Sequence, residues 1–265
     1  MRALVTGAAR GIGRATCLRL LADAQSAGTS LRIAAVDLLG DELEGVAGQL
    51  RAQGAEVVTV MGDLADPAFP ARAVEKAIAA FGGLDVLVSN AGISRHGALA
   101  SLSLEDWDVA LAVDCRATWL LAKAAYPSLK EAKGRIVVVS SITGSYPQPW
   151  TGAYAVAKAG LTMLARQLSL EWGPDGIAVN IVSPGPTHTA ITDRIFSNPE
   201  ARAVREALIP NRRVGMPEDV AAAIAFFCRP EAIQCNGSNL MVDGGFSNSV
   251  MERLPYVPAR KPAAP

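Results

Sequence analysis

The sequence predicts an α/β fold in which a parallel sheet carries helices on both faces. Short runs rich in Val and Ile recur, and VVTV, DVLV, RIVVV and VNIV are almost continuously apolar, as strands buried on both faces are. Amphipathic segments separate these runs, and such alternation is typical of a parallel sheet. No shift in composition and no internal repeat divides the 265 residues. We therefore predict one doubly wound, Rossmann-type domain over residues 1–250, with a seven-stranded parallel sheet.

The predicted strands and helices alternate in chain order. Strands are predicted at residues 3–6, 32–36, 56–61, 84–89, 135–140, 178–182 and 240–242. Helices are predicted at residues 12–24, 41–53, 67–81, 104–126, 151–172 and 217–228. Residues 251–265 hold four prolines and no apolar periodicity, so we expect a tail that lies on a neighbouring surface or is disordered.

Charge and composition argue against several classes of protein. The chain has 25 basic and 25 acidic residues, which is unlike the basic balance of a nucleic-acid binder. Its four cysteines and two histidines lack metal-site spacing, and the cysteines are typical of buried thiols in a reducing compartment. The longest uncharged apolar run, residues 220–228, is far shorter than the ~20 residues of a membrane span. Because a strand is predicted so near the first residue, we expect no signal peptide and a cytoplasmic location.

A glycine-rich segment, TGAARGIG, joins the first predicted strand to the first predicted helix. Gly7 allows a tight turn out of the strand. Gly11 and Gly13 remove side chains that would keep a pyrophosphate from the helix N-terminus, where free N–H groups and the helix dipole favour anions. A strand before and a helix after distinguish this segment from an ordinary glycine turn. We predict a dinucleotide site here, which also includes Arg10 and Ile12.

Asp37, at the end of the second predicted strand, favours NAD over NADP. A carboxylate at this position accepts hydrogen bonds from both hydroxyls of the adenosine ribose and repels a 2′-phosphate. Arg10 argues the other way because a basic residue pairs with that phosphate, although its side chain can also point to solvent. A helix-capping role for Asp37 is compatible with ribose binding. We predict NAD as the cofactor, with NADP as the alternative.

Tyr154 and Lys158 stand four residues apart in GAYAVAKAG, a spacing that places them on one face of a predicted helix. A free phenol has an ordinary pKa of about 10 and is a poor acid or base at neutral pH, but a neighbouring ammonium stabilises the phenolate. Because a Tyr/Lys pair at this spacing often occurs by chance, the surrounding sequence decides whether a catalytic role is indicated. Thirteen residues before Tyr154, Ser141 ends the strand RIVVVSS, where its hydroxyl is available to a substrate carbonyl or alcohol.

Several of these motifs follow the ends of predicted strands. Gly7, Asn90, Ser141 and Pro184 all occupy such positions. In open α/β sheets, ligands bind outside the carboxyl ends of the strands. We therefore expect the cofactor and substrate sites at one edge of the sheet, with no metal.

Taken together, these motifs resemble the short-chain dehydrogenases/reductases. The resemblance extends over residues 2–246 and ends in LMVDGGF, which is similar to that family's last strand. It is carried by TGAARGIG, by GDL with Asp63, by SNAG at residues 89–92, by Ser141, by the Tyr154/Lys158 pair and by SPG at residues 183–185. The resemblance implies hydride transfer between a nicotinamide cofactor and a secondary alcohol or ketone.

The resemblance also implies a role for each matching residue. Tyr154 would be the general acid/base, Ser141 would orient the substrate oxygen, and Lys158 would bind the nicotinamide ribose. The other implied cofactor-binding residues are Asp63 and Leu64 at the adenine, Asn90, Ala91 and Gly92 at the ribose, and Pro184, Gly185, Thr187 and Thr189 at the carboxamide. Family members are often homotetramers paired through the helices that correspond here to residues 104–126 and 151–172.

Asp114 departs from the family pattern, which usually has asparagine at this position. That asparagine supports a proton relay behind the lysine, chiefly through its main-chain carbonyl. An aspartate keeps the backbone, and its charge has Lys158 or Arg116 as a potential partner. A tolerated polar substitution is the simpler interpretation. We keep Asp114 among the catalytic candidates.

The substrate pocket is predicted from the segments beside the catalytic residues, with a lid at about residues 186–214. Tyr146 and Trp150 offer an apolar or sugar-stacking wall. Arg95 and His96 are candidates for binding a carboxylate or phosphate, although surface exposure without a role is the more common state of such side chains.

Three other functions remain to be compared with an NAD-dependent alcohol dehydrogenase. One is an NADPH-dependent carbonyl reductase of the 3-oxoacyl type. Another is a nucleotide-sensing protein without activity, against which the intact Ser141, Tyr154 and Lys158 argue. A hydrolase using Ser141 is disfavoured because no motif places a histidine beside it.

Overall fold

Seven parallel strands form one sheet within residues 1–249, the part of the chain that this computed structural model describes. The order across the sheet is β3-β2-β1-β4-β5-β6-β7. The strands are β1 (Arg2–Thr6), β2 (Arg32–Asp37), β3 (Glu56–Met61), β4 (Val86–Ser89), β5 (Arg135–Val139), β6 (Ala178–Pro184) and β7 (Asn239–Val242). The predicted doubly wound fold is confirmed. The predicted tail at residues 251–265 lies outside the described residues.

Helices cross between the strands and cover both faces of the sheet. They are α1 (Gly11–Ser26), α2 (Gly40–Ala52), α3 (Phe69–Phe81), α4 (Leu104–Leu111), α5 (Ala117–Ala132), α6 (Ala153–Trp172), α7 (Asp193–Phe196), α8 (Pro199–Leu208) and α9 (Pro217–Cys228). Among them, α7 and α8 lie in the predicted lid, where Phe196 of α7 packs with Ile209 and Val214, which follow α8 in the chain.

Alternate residues of each strand belong to opposite cores, because successive side chains of a strand point to opposite faces. Ala3 and Val5 of β1 pack in the layer formed by α1, α2 and α9. Leu4, between them, packs in the layer formed by α3, α5 and α6. Burial on both faces explains why the strand sequences are almost continuously apolar.

The predicted helix at 104–126 is instead three helical pieces. Helix α4 passes into a π-helical turn at Ala112–Arg116, which leads into α5. Helix α5 also runs past Pro127, where the sequence predicted its end. Pro127 lies on the exposed face, and the buried Leu129 holds the following turn against the core, so the lost hydrogen bond is tolerated.

The strand order reverses direction at β1. From β1 the chain builds outward to β2 and β3 on one side, and from β4 to β7 on the other. Ligands of open α/β sheets bind in the crevice at such a switch point, outside the carboxyl ends of the strands. The first candidate site is therefore the edge where β1 and β4 end.

The described part of the chain lacks two features. No helix between residues 1 and 249 has the length and apolarity needed to cross a membrane. The same residues contain no group of three or more His, Cys, Asp or Glu side chains arranged to hold a metal ion.

Gly13 sets how closely α1 approaches the end of β1, which generates a stability prediction. A Cβ at Gly13 would lie 1.9 Å from the Gly7 carbonyl oxygen, whereas a Cβ at Gly48 in α2 meets nothing within 4 Å. We expect Gly13→Ala to lower the free energy of unfolding by more than about 2 kcal/mol, since backbone would have to move. Gly48→Ala should raise it by about 0.5–1 kcal/mol through helix propensity. Denaturant unfolding at one protein concentration measures both, and equal stability of the two variants would contradict this packing.

Candidate active site

The loop from β1 into α1 is built by glycines. Gly7 has a left-handed φ of +67°, and a Cβ there would lie 2.7 Å from the Asn90 Nδ2. Helix α1 begins at Gly11 without a side-chain cap and without an acidic residue in its first turn. Its first N–H groups are therefore left to solvent or to an anionic ligand.

A threonine ties this loop to the end of β4. The Thr6 hydroxyl accepts hydrogen bonds from the backbone N–H groups of Asn90 and Ala91, each at 3.0 Å. The Asn90 Nδ2 donates to the Thr6 carbonyl at 2.9 Å. These bonds align the two strand ends that form the crevice. Thr6 was not named as a site residue from the sequence, although Thr6 is the first residue of the glycine motif.

Asp37 lies at the carboxyl end of β2, beside the glycine loop. Its carboxylate accepts hydrogen bonds from the Ala9 N–H at 2.9 Å and from the Leu39 N–H at 3.1 Å. Arg10 reaches across to α2, where its guanidinium makes a two-point ion pair with Glu42. Arg10 is thus engaged by a partner that the sequence did not indicate. The pair raises the pKa of Arg10 and lowers that of Glu42, because each charge stabilises the other.

Lys158 and Asp114 form an ion pair in the protein interior. The Lys158 Nζ lies 3.1 Å from the Asp114 Oδ1 and donates to the Val139 carbonyl at the end of β5, also at 3.1 Å. Both side chains are at most 4% exposed. Burial acts to lower the pKa of Lys158, but the Asp114 charge and the nearby Tyr154 outweigh it, so this pKa is raised. Burial raises the pKa of Asp114, and Lys158 offsets only part of that effect.

The ion-pair partner of Asp114 is therefore Lys158. Arg116, the other partner considered from the sequence, donates instead to the Ala65 carbonyl at 2.5 Å. The Asp114 carboxylate also accepts from the Ile93 N–H at 3.2 Å. A Cβ at Gly92 would lie 2.5 Å from the Asp114 Oδ1, so the glycine of SNAG makes room for this ion pair. Asp114 is thus a buried, ion-paired residue, and whether the substitution is merely tolerated stays a question for experiment.

Tyr154 stands one turn before Lys158 on α6. Its ring centre is 5.7 Å from the Lys158 Nζ, and the His96 ring packs against it edge-on at 6.2 Å. Ser141 is buried, and its Oγ accepts from the Thr143 hydroxyl at 3.0 Å and from the Thr143 N–H at 3.2 Å. Its own hydroxyl hydrogen is consequently available to another acceptor.

The segment after β6 lies over the glycine loop. Pro184 ends β6, and the Gly185 N–H donates to the Val242 carbonyl at 3.0 Å. The Thr187 hydroxyl donates to the Gly185 carbonyl at 3.0 Å, which fixes the turn. A Cβ at Gly11 would lie 3.4 Å from the Thr189 Cβ, so the start of the predicted lid reaches the start of α1.

The structure does not collect all predicted residues in one place. Asp63 is exposed, and its carboxylate accepts from the Ala65 N–H at 2.8 Å, while Leu64 beside it is buried. Arg95 pairs with Asp106 at 3.5 Å. Tyr146 and Trp150 are exposed, and Trp150 adopts a left-handed φ of 68°. The Gly97 N–H donates to the Trp150 carbonyl at 3.0 Å, so the backbone just after Arg95 and His96 contacts the backbone of Trp150.

This edge fits a nicotinamide dinucleotide. The uncapped N-terminus of α1 and the glycines beside it suit a pyrophosphate, and the Asp37 carboxylate at the end of β2 suits a ribose. The group formed by Ser141, Tyr154 and Lys158 offers a hydrogen-bond donor, a phenol and a paired ammonium at the carboxyl end of β5. Such a set suits proton transfer at a carbinol or carbonyl oxygen.

Comparisons with known proteins agree with this chemistry. Residues 7–247 match the model of the family described as enoyl-(acyl carrier protein) reductase. The chain is 35% identical to a D-threitol dehydrogenase of Mycolicibacterium smegmatis and 34% identical to the 3β-hydroxysteroid dehydrogenase 1 of Eggerthella lenta, over 92% of each chain in both cases. It also matches the crystal structure of a short-chain dehydrogenase from Burkholderia cenocepacia in complex with NADP. That match has a TM-score of 0.84 and 37% identity, and it covers 93% of this chain and 97% of the other.

A family match over nearly the whole described chain, similar dehydrogenases and the sheet-edge site support one conclusion. The chain belongs to the short-chain dehydrogenases/reductases and is an oxidoreductase that transfers hydride between a nicotinamide dinucleotide and an alcohol or ketone substrate.

Proposed function

We propose that the chain is an NAD-dependent dehydrogenase of secondary alcohols with Tyr154 as general acid/base. The observation that carries the proposal is that the Tyr154 ring centre lies 5.7 Å from the buried Lys158 ammonium, which donates to the end of β5 two residues before Ser141. The bound nicotinamide accepts hydride from the carbinol carbon during oxidation and returns it during reduction. The protein must then remove or supply one proton at the substrate oxygen.

The proposed roles follow from the contacts of each side chain. Ser141 donates a hydrogen bond to the substrate oxygen, because its Oγ already accepts from Thr143 and its own hydrogen is free. Tyr154 takes the hydroxyl proton of the alcohol as phenolate and returns it when a ketone is reduced. Lys158 stabilises that phenolate and binds the nicotinamide ribose. Asp114 keeps Lys158 charged in its buried position.

The NAD preference rests on the charges around the adenosine end. Asp37 places a carboxylate beside the glycine loop, where it would meet the 2′-phosphate of NADP. Arg10, a cation on which the Asp37 charge acts, is held by Glu42. The Burkholderia cenocepacia relative was solved with NADP, which makes the NADPH-dependent reductase the rival to be tested.

Three further proposals concern the lid, the oligomeric state and the cellular location. The lid at about residues 186–214 forms its own small core and touches the glycine loop through Thr189. A homotetramer is favoured by the apolar stripe of Val156, Met163 and Leu170, which recurs every seven residues along α6 and is exposed. A cytoplasmic location is favoured by cysteines that are all free thiols, with Cys17 and Cys228 fully buried.

The role of Tyr154 is tested by Tyr154→Phe. We expect kcat/KM to fall by about 10²- to 10⁴-fold with any secondary alcohol that the wild type oxidises, because the proton acceptor is lost. NADH affinity should change by less than about threefold, since the ring remains. Tyr126→Phe removes a phenol on α5 that donates to Asp175, and it should leave turnover intact. Wild-type turnover by Tyr154→Phe would refute the mechanism.

The cofactor preference is tested by titrating the wild type and Asp37→Asn with NADH and NADPH. We expect the wild type to bind NADH more tightly and the variant to lose about tenfold or more of that preference, because one negative charge facing the 2′-phosphate is removed. Nucleotide fluorescence reports both dissociation constants. A wild type that binds NADPH more tightly would show that the assignment of Asp37 is wrong.

The Asp114 charge is tested by the pH dependence of Asp114→Asn. The groups that face Lys158 are Asp114, Tyr154 and Cys115. Without Asp114, the full Lys158 charge would act on Tyr154, and the phenolate would form more readily. We expect the pH of half-maximal alcohol oxidation to fall by about one unit. Loss of the partner should also lower the pKa of Lys158, so activity at alkaline pH should decline earlier.

Asp108→Asn supplies the matched control, because Asp108 is an exposed carboxylate on the neighbouring α4. Its pH profile should coincide with that of the wild type. If the Asp114→Asn profile also coincides with it, the buried carboxylate does not tune the proton transfer.

A further inference from the structure

The Arg10–Glu42 ion pair lies beside the predicted ribose site and joins two elements that are distant in sequence. Arg10 precedes α1, and Glu42 lies in the first turn of α2. The Arg10 Nε and Nη2 each donate to a different oxygen of Glu42, which is the planar two-point geometry of a strong guanidinium–carboxylate pair. Both side chains are about half-exposed, so the pair can exchange with a solvent ligand.

Two carboxylates therefore act on one guanidinium at this place, and only Glu42 is hydrogen-bonded to it. Asp37 is close enough for its charge to act on Arg10, but its own oxygens are occupied by the Ala9 and Leu39 N–H groups. Glu42 has Arg10 as its ion-pair partner. The three charges sum to −1, so a phosphate that arrives here meets a guanidinium whose charge is balanced by Glu42 and whose Nε and Nη2 are already occupied.

We infer that Glu42 is a cofactor-specificity residue: it withholds Arg10 from a 2′-phosphate and thereby adds to the discrimination made by Asp37. This inference rests on the proposed NAD preference and assigns part of it to a residue outside the glycine loop and the strand end. Arg10 by itself would favour NADP. Paired with Glu42, it is neutralised as a phosphate ligand, and the negative charge of Asp37 prevails.

Glu42→Gln should expose this function because it removes the charge and keeps the size of the side chain. We expect the dissociation constant of NADH divided by that of NADPH to rise by about 3- to 10-fold at low salt, because NADPH binds relatively more tightly. The shift should shrink as salt is raised, since the pair is exposed to solvent. Adding Arg10→Gln to Glu42→Gln should abolish the shift, because the released guanidinium is the group that gains the phosphate.

Glu44→Gln is the control on the same helix. Glu44 pairs with Arg51 at 3.2 Å and accepts from Thr59, so its loss breaks a comparable exposed ion pair away from the glycine loop. Its nucleotide ratio should equal that of the wild type. Binding is read from NADH and NADPH fluorescence without any substrate, so turnover is not needed.

The outcomes separate this inference from the proposed function. If both nucleotides bind and Glu42→Gln leaves their ratio unchanged, or shifts it no more than Glu44→Gln does, the role of Glu42 is refuted. A shift that persists when Arg10→Gln is added would also refute it, since withholding Arg10 would not be the cause. If neither nucleotide binds to the wild type, the proposed function itself fails.

Discussion

The site depends on a buried ammonium. Lys158 is almost fully enclosed, and an isolated charge in such a position is unstable unless it is paired and hydrogen-bonded. Its partners come from separate parts of the chain: Asp114 from the π-helical turn and the Val139 carbonyl from the end of β5. Gly92 leaves the space in which the pair sits. One buried charge and its partner thus link α6, β5 and the loop after β4.

This constraint also explains the π-helical turn. A π-helical turn holds one more residue than an α-helical turn, and such turns are common at functional sites. Here it carries Asp114 toward Lys158, while Arg116 at its end contacts the Ala65 carbonyl. A carboxylate in place of the more usual asparagine changes the charge on this side of Lys158 from zero to −1. In the proposed mechanism, this single side chain would couple the local backbone to the proton chemistry of Tyr154.

The two ends of the site are organised by different forces. At the proposed nicotinamide end, the charges are buried, and each keeps its partner because an unpaired charge in the interior is costly. At the adenosine end, Asp37, Arg10 and Glu42 are at least partly exposed, so their interactions are weaker and respond to salt. In the proposed function, the residues of the chemical step thus lie in the interior, whereas the residues that discriminate between cofactors lie where a few surface charges would alter the preference.

The sequence by itself determined the fold class, the order of strands and helices, the glycine loop and the identity of Ser141, Tyr154 and Lys158 as candidates. Each of these depends on local patterns: period-two or near-continuous burial, turn glycines and a four-residue helical spacing. Tertiary structure alone decided that Asp114 pairs with Lys158 rather than Arg116, that Glu42 holds Arg10, and that Thr6 joins β1 to the loop after β4. The same is true of the π-helical turn and of the helix that continues through Pro127. These features arise from partners 32 to 84 residues apart or from the burial of neighbouring side chains, and no local pattern encodes which distant group will meet a given charge.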